Sequence, residues 1–111
     1  MILPKIEIKK ILFATDLSEN ARLALAYAVS MANLRGIGIT IVHALEESPG
    51  LVKSGNPVDV IIEAAEKTGC DILVMGTQGH GGLAQMMMGS TARKVLRQSR
   101  IPVLVVPLPG R

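Results

Sequence analysis

The chain has 111 residues, 49% of them apolar and 2% aromatic, with twelve basic against nine acidic side chains for a net charge of +3. That length gives one small domain, and the composition gives it an aliphatic core. The mild charge, with one Phe, one Tyr and no Trp, argues against a base-stacking surface for single-stranded nucleic acid, and the lone cysteine, Cys70, excludes an intrachain disulfide framework and suits a reducing cytosol.

Residues 10–15 form a nearly continuous apolar run, which predicts a first strand buried on both faces. Ser18 is placed to cap a following helix, with Ala21, Leu25, Ala28, Val29 and Ala32 on its apolar stripe and Gly36 as its stop. A second strand is predicted over 38–44. Asn56 and Pro57 supply the cap and first-turn residues of a second helix. That helix turns Val58, Ile61, Ile62 and Ala65 inward and ends at Gly69. A strand over 71–75, a helix over 90–99 and a last strand over 102–106 complete the order. Alternation of strand and helix predicts an α/β fold, an open, doubly wound parallel sheet with helices on both faces, in a single domain covering 1–111.

The chemistry concentrates between the last two elements. Gly76-Thr77-Gln78-Gly79 follows the apolar run Asp71-Ile72-Leu73-Val74-Met75, and nine residues separate Gly79 from Gly89-Ser90-Thr91. Strand, glycine-punctuated loop and helix N-terminus together present backbone N–H groups to an anion. The glycines permit close approach, and Ser90 and Thr91 add hydroxyl donors, so the reading is a phosphate-bearing ligand. The alternative is a merely structural loop with Ser90 as a helix cap. No G-x-x-x-x-G-K-[ST] occurs, which excludes a P-loop. Gly79-His80-Gly81-Gly82-Leu83-Ala84 matches a dinucleotide fingerprint by letter only: no strand directly precedes it and no acidic residue follows at the required distance.

The loop resembles the G-x2-G-x9-G-[ST] signature of the universal stress protein family, in its ATP-binding branch. Lys10-Ile11-Leu12-Phe13-Ala14-Thr15-Asp16-Leu17-Ser18 is similar to that family's first strand and turn, and Ile41-Val42-His43-Ala44 to its second strand. Gly55-Asn56-Pro57 with Ile61-Ile62-Glu63-Ala64-Ala65 resembles the start of its third helix, and Ile101-Pro102-Val103-Leu104-Val105-Val106 its last strand. The resemblance implies an adenine-nucleotide alpha-hydrolase-like fold binding ATP, with magnesium held mainly by the nucleotide. It places Ala14, Thr15, Asp16 and Ala44 on the ribose and adenine side. Ala14 stands where the family often has Pro and Ala44 where it often has Val, which loosens the base pocket. Met75 and Gly76 would approach the ribose, and Gly79, Gly89, Ser90 and Thr91 would surround the phosphates. It also implies a homodimer. Val103 to Val106 would otherwise be an exposed apolar edge strand, and two-fold pairing removes that edge.

One stretch departs from the family pattern, where a long helical excursion precedes a third strand. Here only Leu45 to Gly50 intervene before Leu51-Val52-Lys53-Ser54, the candidate third strand, although a parallel crossover needs about a dozen residues. Either the shortening is natural, with 51–54 pairing antiparallel, swapping into a partner or forming no strand, or the protein carries a further stretch absent from this sequence. A mass other than 11.8 kDa rejects the natural deletion.

The remaining residues read more plainly. His43, within a strand, is expected to be a packed core histidine, His80 a solvated loop residue, and Cys70 an inert buried thiol. Met86-Met87-Met88 is expected to pack over the loop or in a subunit contact. Arg93, Lys94, Arg97 and Arg100 are expected to form a solvated helix face. No catalytic constellation is visible, so the expected function is nucleotide-dependent regulation in the stress response. The rivals are a slow ATPase or phosphotransferase and a nucleotide-free dimeric scaffold. Met1-Ile2-Leu3-Pro4 lacks signal-peptide character and no apolar run reaches membrane-spanning length, giving a cytoplasmic expectation with no membrane partner.

Overall fold

The computed structural model describes residues 1–15, 21–43, 56–77 and 89–107. Strands β1 (Ile11–Thr15), β2 (Ile39–His43), β3 (Ile72–Gly76) and β4 (Val103–Val106) form one parallel sheet in the order β2-β1-β3-β4. Helices α1 (Arg22–Arg35), α2 (Pro57–Thr68) and α3 (Ser90–Gln98) connect them. The candidate strand over 51–54 lies outside the described residues.

β1 is central, and all five of its residues are buried. The period of two splits them between the faces. Ile11 and Phe13 pack with Ala24, Ala28 and Ala32 of α1, while Leu12 and Ala14 pack with Val58, Ile61 and Ala65 of α2 and Ala92 and Val95 of α3. Helices therefore cover both faces, α1 on one and α2 with α3 on the other. The chain leaves β1 for β2 on one side, then crosses to β3 on the other side of β1. The carboxyl ends of β1 and β3 are thus the point where the winding reverses, and open α/β sheets have their ligand crevice at such a point.

Local chemistry accounts for the helix ends. Asn56 Oδ1 accepts from the Val58 N–H at 2.8 Å, with Pro57 in the first turn where its missing N–H costs nothing. Gly36 and Gly69 close α1 and α2 with φ of 66° and 65°, a left-handed conformation that penalises any residue with a Cβ. Asp71 fixes the approach to β1: its carboxylate accepts from the N–H groups of Lys9 at 2.7 Å and Lys10 at 2.9 Å.

Two expectations need correction. The stripe that α1 buries is Ala24, Ala28 and Ala32, whereas Leu25 and Val29 are exposed. Small side chains let the helix backbone sit close to the sheet, and the bulkier residues turn outward. His43 is exposed rather than packed: it is the last residue of β2, which among the described residues pairs only with β1. Ser18, the expected cap of α1, lies outside the described residues; the N-cap position is Ala21, with no side-chain cap bond.

Candidate functional site

The carboxyl ends of β1 and β3 and the amino end of α3 meet. Thr77, one residue past β3, donates its N–H to the Val106 carbonyl at 3.0 Å, and Gly89 donates its N–H to the Thr77 carbonyl. Those two bonds hold the last residue of β4, the exit of β3 and the start of α3 together. Gly76 and Gly89-Ser90-Thr91, thirteen residues and more apart in sequence, are thus brought near one another.

Gly89 is the N-cap of α3 in extended conformation, and the Arg93 N–H returns to its carbonyl at 3.0 Å as the first helical bond. The amides of Ser90 and Thr91 precede that bond, so the helix itself gives them no acceptor. Among the described residues no side-chain cap bond is made at this helix end, which carries the positive end of the helix dipole. Ser90 is exposed and Thr91 half-buried. Arrayed amides and two hydroxyls can hold a phosphate.

Ala14 and Thr15 end β1 beside this crevice, and both are buried. Met75 is 5% exposed and packs in the core with Ala92 and Val95, so it offers a ligand little beyond its backbone, whereas Gly76 is half-buried. Asp16, Ala44, Gly79, His80 and Met86 to Met88 lie outside the described residues. The site's neighbour that sequence reasoning missed is His43, which stands in register with Thr15 at the end of β2.

Among the described residues, no three His, Cys, Asp or Glu side chains come together to hold a metal ion. Cys70 is buried, and burial pushes its thiol above the ordinary value of 9.0, consistent with an inert thiol. Arg93, Lys94 and Arg97 of α3 are exposed, as a solvated helix face requires, and Arg100, also exposed, lies past the helix end at Gln98.

The model of the universal stress protein family matches the chain in two segments, residues 7–53 and 47–107. The chain belongs to the universal stress protein family. A universal stress protein of Thermus aquaticus is 28% identical over 134 aligned positions, covering 88% of this chain and 98% of that protein. Universal stress protein MJ0531 of Methanocaldococcus jannaschii is 46% identical over 57 residues, 51% of this chain and 34% of its own. Among solved structures, a universal stress protein in complex with cAMP superimposes with a TM-score of 0.72 at 23% identity, covering 92% of this chain and 98% of that one. That likeness shows a shared fold. The alignment with the Thermus protein exceeds the 111 residues of this universal stress protein, so the relative carries residues with no counterpart here. The two family-model segments share residues 47–53.

Proposed function

We propose that residues 1–111 form one ATP-binding domain acting as a nucleotide-dependent regulatory module of the stress response in the cytoplasm. The observation that carries this reading is the junction of Thr77 with Gly89 at the winding reversal, which sets the α3 amides beside the ends of β1 and β3. In this reading Gly79, Gly89, Ser90 and Thr91 hold the phosphates, and Met75 and Gly76 lie against the ribose. Ala14, Thr15, Asp16 and Ala44 lie on the ribose and adenine side. Magnesium would arrive on the nucleotide phosphates, where it needs few protein ligands. Binding of cAMP by a relative of the same fold supports a nucleotide as the ligand class.

The bound nucleotide orders the 76–91 stretch and alters a surface that a protein partner reads. Pairing of the β4 edge with a second copy gives the homodimer. Among the described residues no helix is long and apolar enough to cross a membrane.

The test is calorimetric titration with Mg-ATP. A Gly79→Val, Gly89→Val double variant that keeps the wild-type circular dichroism spectrum is expected to lose binding. Unchanged binding in that folded variant sinks the proposal. A light-scattering mass of a monomer at micromolar concentration contradicts the dimer.

A further inference from the structure

The net charge of +3 conceals an uneven distribution. All nine acidic residues lie within 1–71, whereas residues 72–111 carry five basic residues and none acidic. Such asymmetry between two parts of one chain points to an oppositely charged partner. Four of the five basic residues fall on α3 or just past its end: Arg93, Lys94, Arg97 and Arg100, all exposed. Helical neighbours lie three and four residues apart, so Arg93, Lys94 and Arg97 share one outward strip, away from the buried Ala92 and Val95. No acidic side chain within α3 offsets them. Like charges at that spacing, two of them in the half of the helix nearer its positive dipole end, concentrate positive potential on the strip. Leu96 is 41% exposed and lies one turn from Arg93, which gives the strip an apolar edge.

The surroundings select among anionic partners. Single-stranded nucleic acid is held by stacking its bases on aromatic rings. The chain has one Phe, one Tyr and no Trp: Phe13 is buried in β1, and Tyr27 belongs to α1, across the sheet from α3. A duplex would spread its phosphates well beyond one helix. α2 packs on the same face as α3, with about 8–10 Å usual between packed helices, and it exposes Asp59, Glu63 and Glu66. Those carboxylates repel a wide phosphate surface and leave a track one helix or strand in width. The apolar contact that Leu96 offers is one that a peptide side chain can answer and a phosphate backbone cannot.

We propose that the outward strip of α3 docks an acidic segment of a partner protein, with carboxylates against Lys94 and Arg97 and an apolar side chain on Leu96. The amino end of the same helix carries the amides assigned above to the nucleotide phosphates. The strip lies on the helix's outward side and takes a separate ligand.

The test is fluorescence anisotropy on the full chain without nucleotide, at about 150 mM salt, where the screening length is about 8 Å. The probe is a labelled peptide of Glu-Glu-Leu repeats, run beside polyglutamate of the same length and a labelled DNA duplex. Arg97 and Arg35 are each the basic residue in the last turn of a helix, so Arg97→Glu and Arg35→Glu make the same change in charge and in dipole context. Arg97→Glu is expected to weaken the repeat peptide about tenfold, and Arg35→Glu, on the opposite face, less than about twofold. The wild type is expected to prefer the repeat peptide to polyglutamate, and Leu96→Ala to remove that preference. Circular dichroism confirms that each variant is folded. Equal losses in the two arginine variants, a duplex bound more tightly than the peptide, or a preference that is absent or survives Leu96→Ala overturns the proposal. So does the lack of any peptide binding at about 1 mM protein. Because no nucleotide is present, failure here leaves the ATP reading standing.

Discussion

Leu73 and Leu34 permit a test of the core with chemistry held constant. Leu73 sits in β3 at 0% exposure, paired in register with Leu12 and Val103, while Leu34 near the end of α1 is 83% exposed. Truncating either to Ala removes the same three carbons. At Leu73 the lost transfer free energy is about 2.4 kcal/mol, at roughly 0.8 kcal/mol per carbon. The hole left beside Leu12 and Val95 adds a cavity cost, bringing the total to about 3 kcal/mol or more. At Leu34 no cavity forms and Ala is the better helix former, so the change stays within about 0.5 kcal/mol. For a domain of this size the Leu73→Ala melting temperature should fall on the order of 15 °C. Urea unfolding followed by far-ultraviolet circular dichroism is the suitable assay, since the chain has no Trp. Leu73→Ala should lower the midpoint at unchanged slope, and Leu34→Ala should leave it in place. Equal losses for the two variants would refute the placement of β3 at the centre of the core.

Asn56→Ala should cost about 1 kcal/mol by freeing the Val58 N–H, whereas Asn56→Ser should restore most of it in the same urea assay. Gly36→Ala should cost about 1 kcal/mol through its positive φ alone, because a Cβ there meets nothing within 4 Å; no loss would deny the left-handed cap. Asp71 accepts the N–H groups of Lys9 and then Lys10, which holds its carboxyl below the ordinary 3.8. A group with a depressed folded pKa stabilises above its unfolded value, and that contribution is lost as pH falls through the folded one. Melting temperatures of wild type and Asp71→Asn should therefore differ by a constant amount above about pH 5 and converge below pH 3.8; a gap independent of pH would contradict the carboxylate clamp.

What could be read from the sequence was what local chemistry decides. The β1 run, the Asn56-Pro57 start and the Gly36 and Gly69 stops each follow from the residue at that position, and all four stand in the structure. The meeting of Gly76 with Gly89-Ser90-Thr91 was legible because a parallel strand and its helix must meet at the strand's carboxyl end. The α1 stripe was misread at Leu25 and Val29 because apolar periodicity gives weight to bulk. Close packing of that helix on β1 and β3 instead selected Ala24, Ala28 and Ala32. His43 was misread for a different reason: a strand read from its own apolar run does not reveal its place in the sheet, and among the described residues β2 pairs with β1 alone.

The central claim is an adenine-nucleotide site at the junction of β1, β3 and α3, and thermal unfolding with Mg-ATP, AMP and GTP in parallel tests it most directly. At about 100 times its dissociation constant, a ligand of the native state adds about 2.7 kcal/mol. The melting temperature should then rise on the order of 10 °C with Mg-ATP and less with GTP. No rise with Mg-ATP, on protein that melts cooperatively, would contradict the site and leave a nucleotide-free scaffold.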